Sequence, residues 1–147
     1  MSMQVFSKEQ ADTYAAWCDI LVAGAARAGV AHFVDQNIAG PYDRALLFLR
    51  FSEAGPLADY YLGGLSGIDT ESNHRFGVPF LQLSQAERQV IVEAAIASKS
   101  QAWKRPDPSF FYLVSRNDAV DVVYGTEAGF KALDTPYMAH ILPEKPW

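Results

Sequence analysis

The sequence predicts one all-α domain of about six helices over residues 1–147, with an irregular C-terminal arm at residues 134–147. Three observations support this prediction. Apolar residues recur at helical spacing along most of the chain. Two segments begin with a capping box. Prolines at 136, 143 and 146 exclude regular helix from the arm, because each one removes a backbone donor.

The first half of the chain contains three helical patterns. Ser7 and Gln10 form a capping box, and apolar residues follow at helical spacing up to Gly29, where we expect the first helix to end. A shorter helix is expected from Val30, with Phe33, Val34 and Ile38 on the same face, and it is expected to end at Gly40-Pro41. Residues 42–51 are apolar on nearly all sides, which predicts a central helix that is covered by its neighbours.

The second half begins with a helical pattern from Leu57 to Ile68 and a loop from Phe76 to Leu83, which contains glycine and proline. Ser84 and Glu87 form a second capping box. The helix that follows is expected to turn these residues inward: Val90, Ile91, Ala94 and Ala95.

The last long helix is predicted to start at Asp107, since Pro108 suits the first helical position. Its inward face is expected to carry these residues: Phe110, Leu113, Val114, Val120 and Tyr124. The segment Val120 to Tyr124 is also β-prone, so a strand is the alternative there.

Composition excludes several classes of protein. A net charge of -5 and a pI near 5.1 argue against a nucleic-acid or anionic-membrane partner, because both require a basic patch. The single cysteine, Cys18, rules out an internal disulfide and a thiolate zinc site. No run approaches the roughly 18–20 apolar residues of a membrane span, so we expect no direct membrane span.

Candidate catalytic and metal-binding residues are few. Glu71 and His74 have the E-x-x-H spacing of a di-iron ligand pair, but this motif occurs once, and a solvated helix end is the favoured interpretation. His32 and Asp35 form either an acid–base pair or a polar flank, and the flank is favoured. For Cys18, which lies in an apolar stripe, core packing is favoured over reactivity.

A third polar cluster lies late in the last long helix and consists of Asn117, Asp118 and Asp121. Hydrogen bonding near the helix end is favoured over cation binding, because Ca²⁺ requires six or more ligands. We therefore expect this chain to contain no catalytic, cofactor-binding or metal-binding residues.

Aromatic residues in two irregular segments indicate an interface. Trp103 lies in a loop that carries a basic run, and the arm contains Tyr137, Met138 and Trp147. Exposed aromatic side chains of this kind concentrate at protein–protein interfaces. The alternative is that the arm folds back over its own helices, and the sequence leaves both possibilities open.

The combination of motifs resembles the gluconate 2-dehydrogenase subunit 3 family over most of the chain. The matching residues are Gly29-Val30, Phe33-Val34-Asp35, Phe76-Gly77-Val78-Pro79-Phe80, Leu83-Ser84, Glu87, Phe110-Phe111, Tyr124-Gly125-Thr126, Gly129-Phe130, Pro136-Tyr137-Met138, His140 and Trp147.

The resemblance implies a non-catalytic small subunit that binds and stabilises a large FAD-binding dehydrogenase subunit of the glucose-methanol-choline type. FAD is then expected in the partner, and haem c in a cytochrome c subunit where one joins the complex. The interface residues we expect are Trp103, Tyr124, Gly125, Phe130, Tyr137, Met138, His140 and Trp147.

The resemblance also implies a periplasmic complex and a role in twin-arginine export of the large subunit. Many relatives have their own leader, whereas the first ten residues here lack a basic segment followed by an apolar one. We expect the chain to be trimmed, to be exported with its partner, or to be cytoplasmic if it acts alone. The rival function is a stand-alone enzyme or small-molecule-binding protein with this pocket lining: Tyr14, Phe48, Tyr60 and Phe111.

Overall fold

Six α-helices and one short 3-10 turn form the part of the chain that the computed structural model describes, residues 2–39 and 56–136. The α-helices are α1 (Lys8–Leu21), α2 (Val30–Ala39), α3 (Leu57–Phe76), α4 (Gln85–Ile96), α5 (Pro108–Tyr124) and α6 (Glu127–Ala132). The predicted all-α fold class is confirmed. The helix predicted at residues 42–51 and arm residues 137–147 lie outside the described residues.

Side-chain caps start α1, α4 and α5 where the sequence predicts. Ser7 and Ser84 accept hydrogen bonds from the backbone N–H groups three residues later, and the side chains of Gln10 and Glu87 accept the return bonds. Asp107 accepts from the N–H of Phe110, and Pro108 is the first residue of α5. These starts were predictable because both partners of each cap lie within one turn.

The first helix ends earlier than predicted, at Leu21 instead of Gly29. Asp19 Oδ1 accepts hydrogen bonds from the N–H groups of Gly24 and Ala26, and this turn replaces further helix. Gly24 and Gly29 have φ angles of 93° and 85°, a region that favours glycine. The apolar spacing continues through this segment, which explains why periodicity alone missed the break.

The segment from Val120 to Tyr124 is helical, so the strand alternative is wrong. Leu113 and Val120 were predicted to face inward but are 44% and 36% exposed. The buried face of α5 includes Ser115 and Asp118, two polar residues that an apolar pattern does not identify. Val90 of α4 is also exposed instead of inward.

Aromatic rings fill the core between α1, α3 and α5. Phe111 lies 6.2 Å from Trp17 and 5.6 Å from Trp103, measured between ring centroids. Two glycines of α3 make this packing possible, because a Cβ at Gly64 would overlap the Phe111 ring and a Cβ at Gly67 would overlap the Trp103 indole. The face of α3 that meets the core therefore needs glycine at these two positions, because the aromatic rings occupy the space of a Cβ.

Candidate functional site

Trp103 was predicted to be an exposed interface residue, and this prediction is wrong. Its side chain is 1% exposed and lies 5.8 Å from Trp17, centroid to centroid. The indole belongs to the core of this chain and is not available to a partner. In the loop around it, the residues that could contact a partner are the exposed ones.

Glu71 holds that loop in place from beneath. Its carboxylate accepts hydrogen bonds from the backbone N–H groups of Gln101, Ala102 and Trp103 at 2.7–3.0 Å, and from Arg75 Nε at 2.6 Å. Burial by itself raises the pKa of Glu71, but these donors outweigh it and lower the pKa to about 2. Glu71 is fully buried, so the prediction of a solvated helix end is wrong for Glu71, whereas His74 is exposed in the last turn of α3.

Asp35 plays a similar part at the amino end. Its carboxylate accepts hydrogen bonds from the backbone N–H groups of Gln4, Val5 and Phe6 at 2.7–2.9 Å. Burial raises the pKa of Asp35, whereas the three N–H donors and the nearby charge of His32 lower it, and the net direction is down. Asp35 is fully buried, so it fixes residues 4–6 onto α2 and is not the polar flank that was favoured.

Asp118 lies at the centre of the helices, 2% exposed. The hydroxyls of Tyr14 and Tyr61 donate to its Oδ2 at 2.8 and 2.6 Å, so it links α5 to α1 and α3. Burial raises the pKa of Asp118 to about 7, although both hydroxyls act in the opposite direction. The predicted hydrogen bonding exists, but it lies in the core instead of at the helix end.

Cys18 is buried next to this cluster, as predicted for a packing residue. Burial raises the pKa of its thiol well above the ordinary value, which disfavours the reactive thiolate. Its Sγ lies 3.8 Å from the carbonyl oxygen of Ser115. The chemistry of this position is that of a small apolar side chain.

The elbow between α5 and α6 contains three of the predicted interface residues. Tyr124 ends α5, Gly125 is exposed, and Phe130 of α6 is half-buried. Thr126 caps α6 by accepting from the N–H of Gly129, and a Cβ at Gly129 would overlap the backbone of Tyr124. The other predicted residues, Tyr137, Met138, His140 and Trp147, lie outside the described residues.

Exposed apolar side chains also occur on the outer side of α5 and directly after α6. Leu113 and Val120 lie two turns apart on one face and line a surface cavity of about 270 Å³ with Arg116 and Asn117. Leu133, directly after α6, is 56% exposed. Sequence periodicity placed Leu113 and Val120 in the core, so this face was missed.

Rings proposed for a small-molecule pocket instead pack on one another. Tyr60 and Tyr14 lie 5.7 and 6.4 Å from Phe111 between centroids, and Tyr14 and Phe111 are fully buried. Phe48, the fourth residue of that pocket, lies outside the described residues. The three described rings fill space that the rival function would need to be open.

Within residues 2–39 and 56–136, no group of three or more His, Cys, Asp or Glu side chains is placed to hold a metal ion. Among the helices of those same two ranges, none has the length and apolar character that a membrane crossing requires. Glu71 and His74 both contact Gln101, since Glu71 accepts from its backbone N–H and His74 Nε2 lies 3.1 Å from its side-chain Oε1.

The three buried acids thus each connect elements of the fold, while the elbow and the outer face of α5 present apolar side chains to the outside. A family model described as gluconate 2-dehydrogenase subunit 3 matches residues 8–140. No curated protein and no solved structure matches the chain. The matched range includes all six helices and most of the motifs on which the resemblance was based. The chain belongs to the gluconate 2-dehydrogenase subunit 3 family.

Proposed function

We propose that this chain is a non-catalytic small subunit that binds and stabilises a large FAD-dependent dehydrogenase subunit of the glucose-methanol-choline type. The observation that carries the proposal is the family match over residues 8–140, since the family name denotes one subunit of a dehydrogenase. Oxidation of a sugar or sugar acid takes place on the flavin of the large subunit. A cytochrome c subunit with haem c accepts the electrons where the complex includes one.

The described residues support an accessory role because their buried polar groups hold helices and loops together. Glu71, Asp35 and Asp118 are each surrounded by donors from this same chain. Tyr14 and Phe111, proposed for a rival pocket, are fully buried. The interactions of these residues are explained by the stability of the fold.

The interface that we propose combines the elbow with the outer face of α5. Leu113, Val120 and Leu133 expose apolar area there, and Tyr124 and Phe130 lie between them along the chain. Large contiguous apolar patches on a protein surface mark sites of protein–protein contact. Tyr137, Met138, His140 and Trp147 extend this interface in the proposal.

The complex is proposed to be periplasmic, with the small subunit needed for maturation or export of its partner. Fractionation of the native host tests this part. If deletion of the small subunit abolishes export of the large subunit, the result agrees with the proposal. Unchanged export and unchanged flavin content in the deletion strain would contradict it.

The central experiment is co-expression of the chain with the large subunit, followed by size-exclusion chromatography and an absorption spectrum. Co-elution with flavin absorption is expected. Leu133→Asp should weaken co-elution, because it places a charge in the proposed contact. Ile96→Asp is the matched control, since Ile96 is 46% exposed at the end of α4. Equal effects of both substitutions would locate the interface elsewhere, and two separate peaks for the wild-type proteins would overturn the proposed function.

A further inference from the structure

The loop at residues 99–105 is basic in a chain whose net charge is -5. It carries Lys99, Lys104 and Arg105, all exposed, and no aspartate or glutamate. The ion pairs of residues 2–39 and 56–136 are Lys8–Asp12 and Glu71–Arg75. In that part of the chain, therefore, the three cations of the loop have no carboxylate partner. Three like charges so close in sequence repel one another unless an anion approaches them.

A groove of about 430 Å³ separates this loop from α3. Glycines at 63 and 67, with Thr70, form the helix wall, and Ala102, Lys104 and Arg105 are on the loop side. The lining contains basic and neutral residues and no acid. The groove thus combines a positive rim with a helix wall of small residues, on which the Trp103 indole already occupies the space beside Gly67.

The cations are presented from a fixed frame. Glu71 binds three consecutive N–H groups of the loop, and the Trp103 ring is locked in the aromatic core. Lys104 Nζ also donates to the carbonyl oxygen of Ser100 at 2.9 Å, which restricts the ammonium. Because Arg75 already neutralises Glu71, the buried acid does not take up the charge of Lys104 or Arg105. The loop backbone and the Lys104 ammonium are therefore restrained, and a restrained cation loses less conformational entropy when it binds an anion.

We propose that the groove between α3 and the 99–105 loop docks an acidic segment of the dehydrogenase subunit, whose carboxylates pair with Lys104 and Arg105. This proposal rests on the proposed function and names a second contact on the same partner. A carboxylate-bearing protein segment fits better than nucleic acid, because the overall charge of -5 repels a polyanion of that size. The groove provides charge complementarity, whereas the outer face of α5 provides apolar contact.

The test is the affinity of the full-length chain for the separately purified dehydrogenase subunit, measured at low and at physiological salt. Lys104→Glu/Arg105→Glu should weaken binding at least about tenfold and flatten its salt dependence, because two favourable charge contacts become unfavourable. The matched control, Lys8→Glu/Arg27→Glu, makes the same change in net charge at exposed positions outside the groove and should change affinity less than about threefold. A thermal melt of each variant shows that the fold is kept.

Each outcome decides a different point. If the wild-type chain does not bind the dehydrogenase subunit, the proposed function fails and this proposal fails with it. If the wild-type chain binds and the two double variants bind equally well, the proposal alone is overturned. A second result would also overturn the proposal. Sodium gluconate would shift the amide NMR signals of residues 102–105 in the isolated chain, while Lys104→Glu/Arg105→Glu would keep full affinity for the dehydrogenase subunit. The groove would then bind a free small carboxylate and not a segment of the partner.

Discussion

Glu71 and Asp118 are both buried acids, yet their charge states differ. Burial raises the pKa of each, but Glu71 also receives three backbone N–H bonds and an arginine, and its pKa falls to about 2. Asp118 receives two tyrosine hydroxyls, and its pKa rises to about 7. Asp118 is also enclosed more deeply and lies near the charge of Asp121, so the depth of burial, the neighbouring charges and the number of donors together decide the charge state of each acid.

The two acids also affect stability in opposite directions as the pH changes. Glu71 has a folded pKa below its ordinary 4.5, so its contribution is present above that value and is lost as the pH falls toward about 2. Asp118 has a folded pKa above its ordinary 3.8, so its contribution is present below that value and is lost as the pH rises through about 7. Considering these two groups alone, stability should be greatest near pH 4 and should fall on both sides.

The largest expected effect is that of removing the charged acid. Glu71→Ala should lower the free energy of unfolding at pH 7 by about 3–5 kcal/mol, because Arg75 and three loop N–H groups lose their acceptor. Urea denaturation measures the change. Glu87→Ala is the control, since Glu87 also accepts a backbone N–H, but in a partly exposed capping box, where about 1 kcal/mol is expected. Equal losses for both variants would show that the Glu71 cluster is not special.

Neutralising Asp118 should have the opposite sign. Asp118→Asn keeps an oxygen for the two tyrosines and removes the cost of a buried charge, so at pH 8 it should stabilise the fold by roughly 2–4 kcal/mol. At pH 5 the folded acid is protonated but the unfolded acid is still ionised, so a smaller gain of about 1–2 kcal/mol should remain, and it should disappear only below about pH 4. Asp12→Asn, at an exposed surface pair with Lys8, should change stability little at either pH. A gain at pH 5 as large as that at pH 8 would contradict the raised pKa.

Sequence reasoning predicted the helix starts because the determining contacts are local. Ser7 and Ser84 each find their capping partner three residues away. The role of Glu71 and the core position of Asp118 were missed because their partners are distant: Glu71 and Gln101 are 30 residues apart, and Asp118 and Tyr14 are 104 apart. A Glu–Arg pair at i, i+4, Glu71 with Arg75, was the available signal for the first cluster.

The prediction for Trp103 failed for a related reason. A tryptophan beside lysine and arginine in a loop suggests exposure. The ring instead packs where Gly67 has no side chain, and the sequence does not show that Gly67 and Trp103 meet. The same lack of long-range information put Leu113 and Val120 in the core, since polar Ser115 and Asp118 occupy the buried face instead. Apolar periodicity identifies a helix well, but it orients one poorly when the core contains polar groups.

Replacing a third buried acid, Asp35, should have an effect on stability of intermediate size. Asp35 receives three backbone N–H bonds but no arginine, so Asp35→Asn should cost about 1–3 kcal/mol, less than Glu71→Ala. The loss should be local, because the donors lie in residues 4–6. Amide hydrogen exchange of Gln4, Val5 and Phe6 should accelerate while that of α5 stays slow. Unchanged exchange at these three amides would show that Asp35 does not hold the segment.

The smallest expected effects test the tyrosines at Asp118. Tyr14→Phe and Tyr61→Phe should each cost about 1 kcal/mol, and more at pH 8 than at pH 5, because the ionised carboxylate depends more on its donors. Tyr60→Phe is the control: its hydroxyl is buried and has no partner in the described part of the chain, so its removal should be neutral or stabilising. In Tyr14→Phe/Tyr61→Phe the loss at pH 8 should exceed the sum of the single losses, since each hydroxyl partly compensates for the other at the same oxygen. If the loss in the double variant equals the sum of the single losses, the two hydroxyls do not act together on Asp118. If Tyr60→Phe is as unstable as the other two variants, the rings contribute through packing and not through their hydroxyls.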